Sequence, residues 1–147
     1  MPKSAKKKSP RKPANWVARR DGCRPAEVSV LGIPFAGHQP GEKMLISSPA
    51  DVHRQLRRIR KGQCLTPAQL RERLAAAASA DFTCPLTAGI FLRIAAEAAW
   101  QEHENGAAIE DIAPFWRVVD SSHPLAKKLA CGIDFIRTRR RAEGLEE

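Results

Sequence analysis

The segment Ala80-Asp81-Phe82-Thr83-Cys84-Pro85-Leu86-Thr87-Ala88-Gly89 opens the longest helical pattern in the chain. Thr83 is an N-cap candidate whose hydroxyl could accept from a free first-turn N–H. Pro85 fits a first-turn position, where no N–H is needed. Leu86, Ile90 and Ile94 then recur every four residues, with Ala95, Ala96, Ala98 and Ala99 filling in. This spacing predicts a helix of about five turns with an apolar stripe. Its charge is polarised. From Thr83 to Ala96 the one charged side chain is Arg93, whereas Glu97, Glu102, Glu104, Glu110 and Asp111 follow with no Lys or Arg among them. Acids near a helix C-terminus oppose the macrodipole. The pattern therefore predicts an N-terminal end that meets an anion and an acidic rear that points away.

Two further helices precede this one. Ser48 is an N-cap candidate, Pro49 suits the first helical position and Asp51 sits near the positive end of the dipole. Val52, Leu56 and Ile59 line one face, Arg54, Arg57, Arg58, Arg60 and Lys61 the rest, and Gly62 is the expected C-terminal glycine. Thr66-Pro67-Ala68-Gln69 is a capping box with proline at the first position, and Leu70, Leu74 and Ala77 give that helix its buried face. A helix, a turn and a longer helix fit a helix-turn-helix. Further on, Pro114-Phe115-Trp116-Arg117-Val118-Val119 favours a strand, and Asp120 to Pro124 carries the turn chemistry of a wing tip. Leu129, Ile133 and Ile136 mark a last helix that ends in Arg137, Arg139, Arg140, Arg141 and Gly144. The expected fold is mainly α with a small β wing, a winged helix-turn-helix.

Ahead of these helices the charge is one-signed. Residues 1–20 hold eight Lys/Arg and no acid, while the other 127 residues hold 17 Lys/Arg and 16 Asp/Glu. Residues 1–20 are expected to be a disordered basic arm whose Lys6, Lys7, Lys8, Arg11 and Lys12 follow nucleic-acid phosphates, against the plainer role of a solubilising tail. Residues 21–47 read as a loop-rich lead-in with short strands at Val28–Leu31 and Lys43–Ile46, and residues 48–147 as the DNA-binding domain. No run of about 18 apolar residues spans a membrane, and no apolar stretch follows the basic start as in a secretory signal. The four cysteines, Cys23, Cys64, Cys84 and Cys131, contain no C-x-x-C pair, so neither a metal nor any other cofactor is expected. Unpaired thiols suit a reducing compartment, here a cytoplasmic, nucleoid-associated monomer.

From Ser48 to Leu145 this order of elements resembles the C-terminal DNA-binding domain of the alkylguanine-DNA alkyltransferases and alkyltransferase-like proteins. Gly62-Gln63-Cys64-Leu65-Thr66 is similar to the family's Gly-x-x-x-Thr. Pro114-Phe115-Trp116-Arg117-Val118 stands where the family carries Pro-Cys-His-Arg-Val, and Glu143-Gly144 matches its closing Glu-Gly. Ala80 to Phe91 matches, without a gap, the Ala-Asp-x-Thr-Cys-Pro-x-Thr-x-Gly-Ile-Phe pattern of a divergent branch. The departures decide the chemistry. The family's alkyl-accepting Cys is Phe115 here, and its His is Trp116. Glu143, with nothing to orient, would become a helix-terminal carboxylate. The family's lesion-rotating Tyr falls at Pro67 and its intercalating Arg near Leu86. Covalent self-alkylation at this position is chemically excluded.

The resemblance implies a non-catalytic protein that binds double-stranded DNA, recognises alkylated bases and hands them to other DNA-repair proteins. Thr83, Cys84, Thr87 and Gly89 would form the groove-facing tip, with Phe115, Trp116 and Arg117 around the lesion. Each residue also has a plainer role: packing for Gly89, core for Phe115 and Trp116, and a structural ion pair for Arg117. Cys84, in the first turn of a helix, is the outside candidate for an alkyl acceptor, given a base among His53, His103 and His123. A winged-helix regulator or chromosome-associated protein without lesion recognition is the alternative.

Overall fold

The computed structural model describes residues 14–145. Its elements run α1 (Trp16–Asp21), β1 (Glu27–Val30), β2 (Lys43–Ile46), α2 (Pro49–Arg57), α3 (Pro67–Ala77), β3 (Phe82–Thr83), α4 (Pro85–Glu104) and α5 (Ile133–Ala142). Short 3-10 turns stand at Ile109–Asp111, Phe115–Arg117 and Pro124–Lys127. The described chain is thus mostly helical with a three-stranded sheet in the order β1-β2-β3. β1 and β2 form an antiparallel hairpin with Glu27 opposite Ile46, and β3 lies parallel to β2 with Met44 opposite Phe82. The Asp81 N–H donates to Lys43 O and the Cys84 N–H to Leu45 O, both at 2.8 Å. α4 is therefore launched from the sheet.

The local signals before α2 and α3 and after α5 act as their chemistry dictates. The Ser48 hydroxyl accepts from the Asp51 N–H at 3.1 Å and starts α2. Thr66 Oγ1 accepts from the Gln69 N–H while Gln69 Oε1 accepts from the Thr66 N–H, so the capping box of α3 is complete. Gly144 takes a positive φ of 72° just past α5, and the Leu145 N–H returns to Arg140 O at 2.9 Å. That closure satisfies a carbonyl the helix end leaves open.

Several expectations are corrected. Thr83 does not cap α4. It is held extended in β3, and its hydroxyl donates to Arg71 O at 2.8 Å. Cys84 takes the cap position without a side-chain hydrogen bond. α2 ends at Arg57, and Gly62 uses its positive φ of 85° in the turn that follows. The buried face of α3 ends on Ala75, while Ala77 is exposed. Pro114–Val119 is no strand. Phe115 to Arg117 is a 3-10 turn with no pairing partner, because Phe115, Trp116, Val118 and Val119 are all drawn into the core. The small sheet lies ahead of α2 and between α3 and α4, not after α4. Leu129 is buried ahead of α5, which starts only at Ile133. Trp16 to Arg20, assigned to a disordered arm, are helical.

The largest correction concerns the stripe on α4. Leu86 and Ile90 are 69 % and 58 % exposed. The buried face is Ala88, Leu92, Ala95, Ala96 and Ala99, with Ala98 also enclosed. Small side chains let α1 and α2 pack close against α4, so a run that looks like filler carries the core contact. Around it pack Leu45, Val52, Leu56, Ile59, Leu74, Phe115, Trp116 and Ile136. Among the described residues no helix is long and apolar enough to cross a membrane.

Candidate nucleic-acid interface

At the front of α4, Thr83 and Cys84 are buried and so present nothing to a groove. Thr87 is half-buried, its hydroxyl 3.4 Å from Cys84 O. Gly89 is exposed, and a Cβ placed there would meet nothing within 4 Å, so packing does not require the glycine. The cavity beside this first turn is lined by Arg71 but also by Glu72 and Asp81. The anion-facing tip expected from the helix dipole is a surface of mixed charge.

None of the three expected bases lines the cavity at the first turn of α4, whereas His38 does, with its Nδ1 3.0 Å from Glu42. His53 lies in the field of Arg20 and Glu102, His103 Nδ1 is paired with Ala107 O, and His123 Nδ1 accepts from the Leu125 N–H. Burial, with the Glu97 carboxylate adding to it, pushes the Cys131 thiol up to about 12 and keeps it protonated. Among the described residues no three His, Cys, Asp or Glu side chains are grouped to hold a metal ion.

The segment standing in for the family signature is built as core. Phe115 is 0 % exposed and packs edge-on to Trp116 at 5.4 Å, with the Phe135 ring at 6.1 Å, so no base reaches it without repacking. Glu143 is not the unoriented carboxylate expected. Its side chain is 1 % exposed and accepts from Trp116 Nε1 at 2.9 Å, Arg117 Nε at 2.8 Å and Arg117 Nη2 at 2.9 Å. Burial alone would raise its carboxyl, but these hydrogen bonds outweigh burial and hold it below its ordinary 4.5. Arg117 also donates to Ile59 O at 2.6 Å, and its pairing with Glu143 is the structural ion pair named as its plainer role.

No protein-family model, curated protein or solved structure matches this chain.

Three residues of the first basic run and one of the second line one cavity of about 420 Å³. Arg57, Arg60 and Lys61, at and beyond the end of α2, line it together with Arg139 of α5, and Glu110 is the acid on the same lining besides the engaged Glu143. Arg57 Nη1 donates to Asp111 O at 2.7 Å, which fixes the α2 end against the turn after α4. The Arg139 guanidinium lies 5.3 Å over the Trp116 ring, and its Nε is buried without a hydrogen-bond partner. Of the expected lesion-site residues, Trp116 and Arg117 border this cavity and Phe115 does not. The cavity and the front of α4 share no lining residue.

At the acidic rear of α4, Glu97 and Glu102 are engaged, while Glu104, Glu110 and Asp111 are exposed. The buried Arg20 of α1 bonds Glu102 at 2.7 Å and Asp21 at 2.9 Å. Gln101 accepts from the Val17 N–H at 3.1 Å and donates to Ala14 O at 3.0 Å. Glu97, raised by burial, accepts from the Ala130 N–H at 3.1 Å. Sequence reading missed Arg20 and Gln101, and no local pattern marks them, because both act over more than 80 residues. Arg139 had a signal in its i, i+4 spacing to Glu143, which it approaches at 3.9 Å. Lys6, Lys7, Lys8, Arg11 and Lys12 lie outside the described residues.

Proposed function

We propose that the chain is a non-covalent, non-catalytic binder of duplex DNA, akin to the alkyltransferase-like proteins that its sequence resembles. The convergence of Arg57, Arg60 and Lys61 with Arg139 around one cavity carries this reading. Charge runs on single helices are ordinarily solvated faces, but Arg57, Arg60 and Lys61 of one run with Arg139 of another around one recess concentrate positive potential where a phosphate can enter. The basic arm adds sequence-independent attraction. The buried Phe115 in the place of the family's acceptor thiol argues against repair chemistry. The contact surface is then the end of α2 with α5, and the tip of α4 is secondary.

Fluorescence anisotropy with matched undamaged and alkylated duplexes, at several salt concentrations, tests the reading. Both duplexes are expected to bind alike, with affinity falling steeply as salt rises. An Arg60→Ala/Lys61→Ala variant should flatten the log–log salt dependence by about two, near 0.9 per lost phosphate contact. Absence of binding at low salt overturns DNA binding altogether. A clear preference for the alkylated duplex would favour a damage sensor that hands its lesion to other repair proteins.

A further inference from the structure

We infer that the cavity between the α1–β1 link and α4 is a binding site for a small apolar carboxylic acid, an aryl or alkyl carboxylate. It measures about 540 Å³, within the usual size of small-ligand pockets, about 300–1,000 Å³. Half-buried Ile46, Phe91 and Ile94 supply its apolar wall. Exposed Arg19 and Arg24 supply the cations, and Glu27 is the carboxylate on the same lining. It shares no lining residue with the basic cavity where α2 and α5 meet, so the site stands apart from the DNA-binding reading.

Two independent observations point to a ligand. Ser47 lies on the lining, is 3 % exposed, and its Oγ is buried without a hydrogen-bond partner. A buried hydroxyl left unpaired is destabilising, so one placed in a cavity wall suits a ligand oxygen that accepts its O–H. The cations are also uncommitted. Among the described residues neither Arg19 nor Arg24 is ion-paired, and the Arg19 guanidinium is held 4.8 Å over the Trp16 ring. A guanidinium stacked on an indole keeps its N–H edge for the two oxygens of a carboxylate. The charge count sets the ligand class. Two arginines against Glu27 leave a net charge of one, which suits a monocarboxylate better than a multiply charged phosphate. A small inorganic anion would leave the apolar wall uncovered, whereas the body of an aryl or alkyl acid covers it.

Calorimetric titration of the full chain with 3-phenylpropionate and with 3-phenylpropanol, which has the same apolar body and no charge, tests the site. The acid is expected to bind about tenfold tighter, the size of one charged hydrogen-bonded contact. Arg19→Gln and Arg24→Gln, both at exposed positions, should each bring the acid toward the alcohol with an unchanged circular-dichroism spectrum. Ser47→Ala should weaken the acid several-fold without lowering the melting temperature, because the hydroxyl it deletes has no partner in the free protein. Amide chemical shifts on adding 3-phenylpropionate should move at Cys23 to Glu27, Ile46, Ser47, Phe91 and Ile94. Shifts centred on Arg57, Arg60, Lys61 and Arg139 instead would place the acid in the other basic cavity and overturn this site. Equal affinity for acid and alcohol, or no binding of either at millimolar concentration, overturns it as well.

Discussion

Glu143 is a buried carboxylate whose task is set by its partners. It receives Trp116 and Arg117, so it ties the end of α5 to the 3-10 turn and, through Arg117, to Ile59. Removing one partner from a buried ion pair strands the other, at a cost of about 3 kcal/mol. Glu143→Gln should destabilise by about that amount at neutral pH, because its amide turns a donor toward Arg117. The pH dependence has a definite sign. The folded carboxyl titrates below its ordinary 4.5, so its contribution is present above that value and is lost as pH falls through the folded one. Urea denaturation of both proteins from pH 7 to pH 3 should show the gap in stability closing on acidification. A gap that stays constant with pH would mean that packing, not charge, is what Gln disturbs.

At the scale of elements, the N-terminal helix is the unexpected part. α1 is six residues long, too short to persist alone, and it is kept by α4. Arg20 is its bolt. Arg20→Ala leaves Glu102 unpaired and should release α1 while α2 to α5 stay folded. Amide hydrogen exchange should quicken at Val17 to Asp21 by at least tenfold, with little change in α4. His53 supplies a second readout. Burial and the Arg20 charge lower its pKa, so the variant should titrate His53 at a higher pH. Unchanged exchange in α1 would place its anchorage in Gln101 instead. The capping signals of α2 and α3 and both hairpin strands were legible in the sequence, because caps and turns are local chemistry. The burial of α4 was not. Leu86 and Ile90 outweigh alanines on any hydrophobicity scale, yet close approach of α1 and α2 selects the alanine face. Pro114 to Val119 was misread for a related reason. Bulky β-formers are drawn into a core as readily from a tight turn as from a strand, and no partner strand exists for them. Of the site, the residue types were legible, but their meeting in one cavity depends on contacts across some 80 residues between α2 and α5, which no periodicity encodes.

For the molecule as a whole, charge is arranged by end rather than by total. The body from residue 21 is close to neutral, yet Arg57, Arg60, Lys61 and Arg139 line one cavity where α2 and α5 meet, beside the turn that follows α4. Ala14 is held by Gln101 near the close of α4, and the thirteen residues before it carry six Lys/Arg. Arm and cavity should act on one duplex at once, the arm through phosphates alone. Deleting residues 1–13 should lower the slope of log affinity against log salt by up to about five, near 0.9 for each released contact. A truncated protein with an unaltered slope would show that the arm is a solubilising tail.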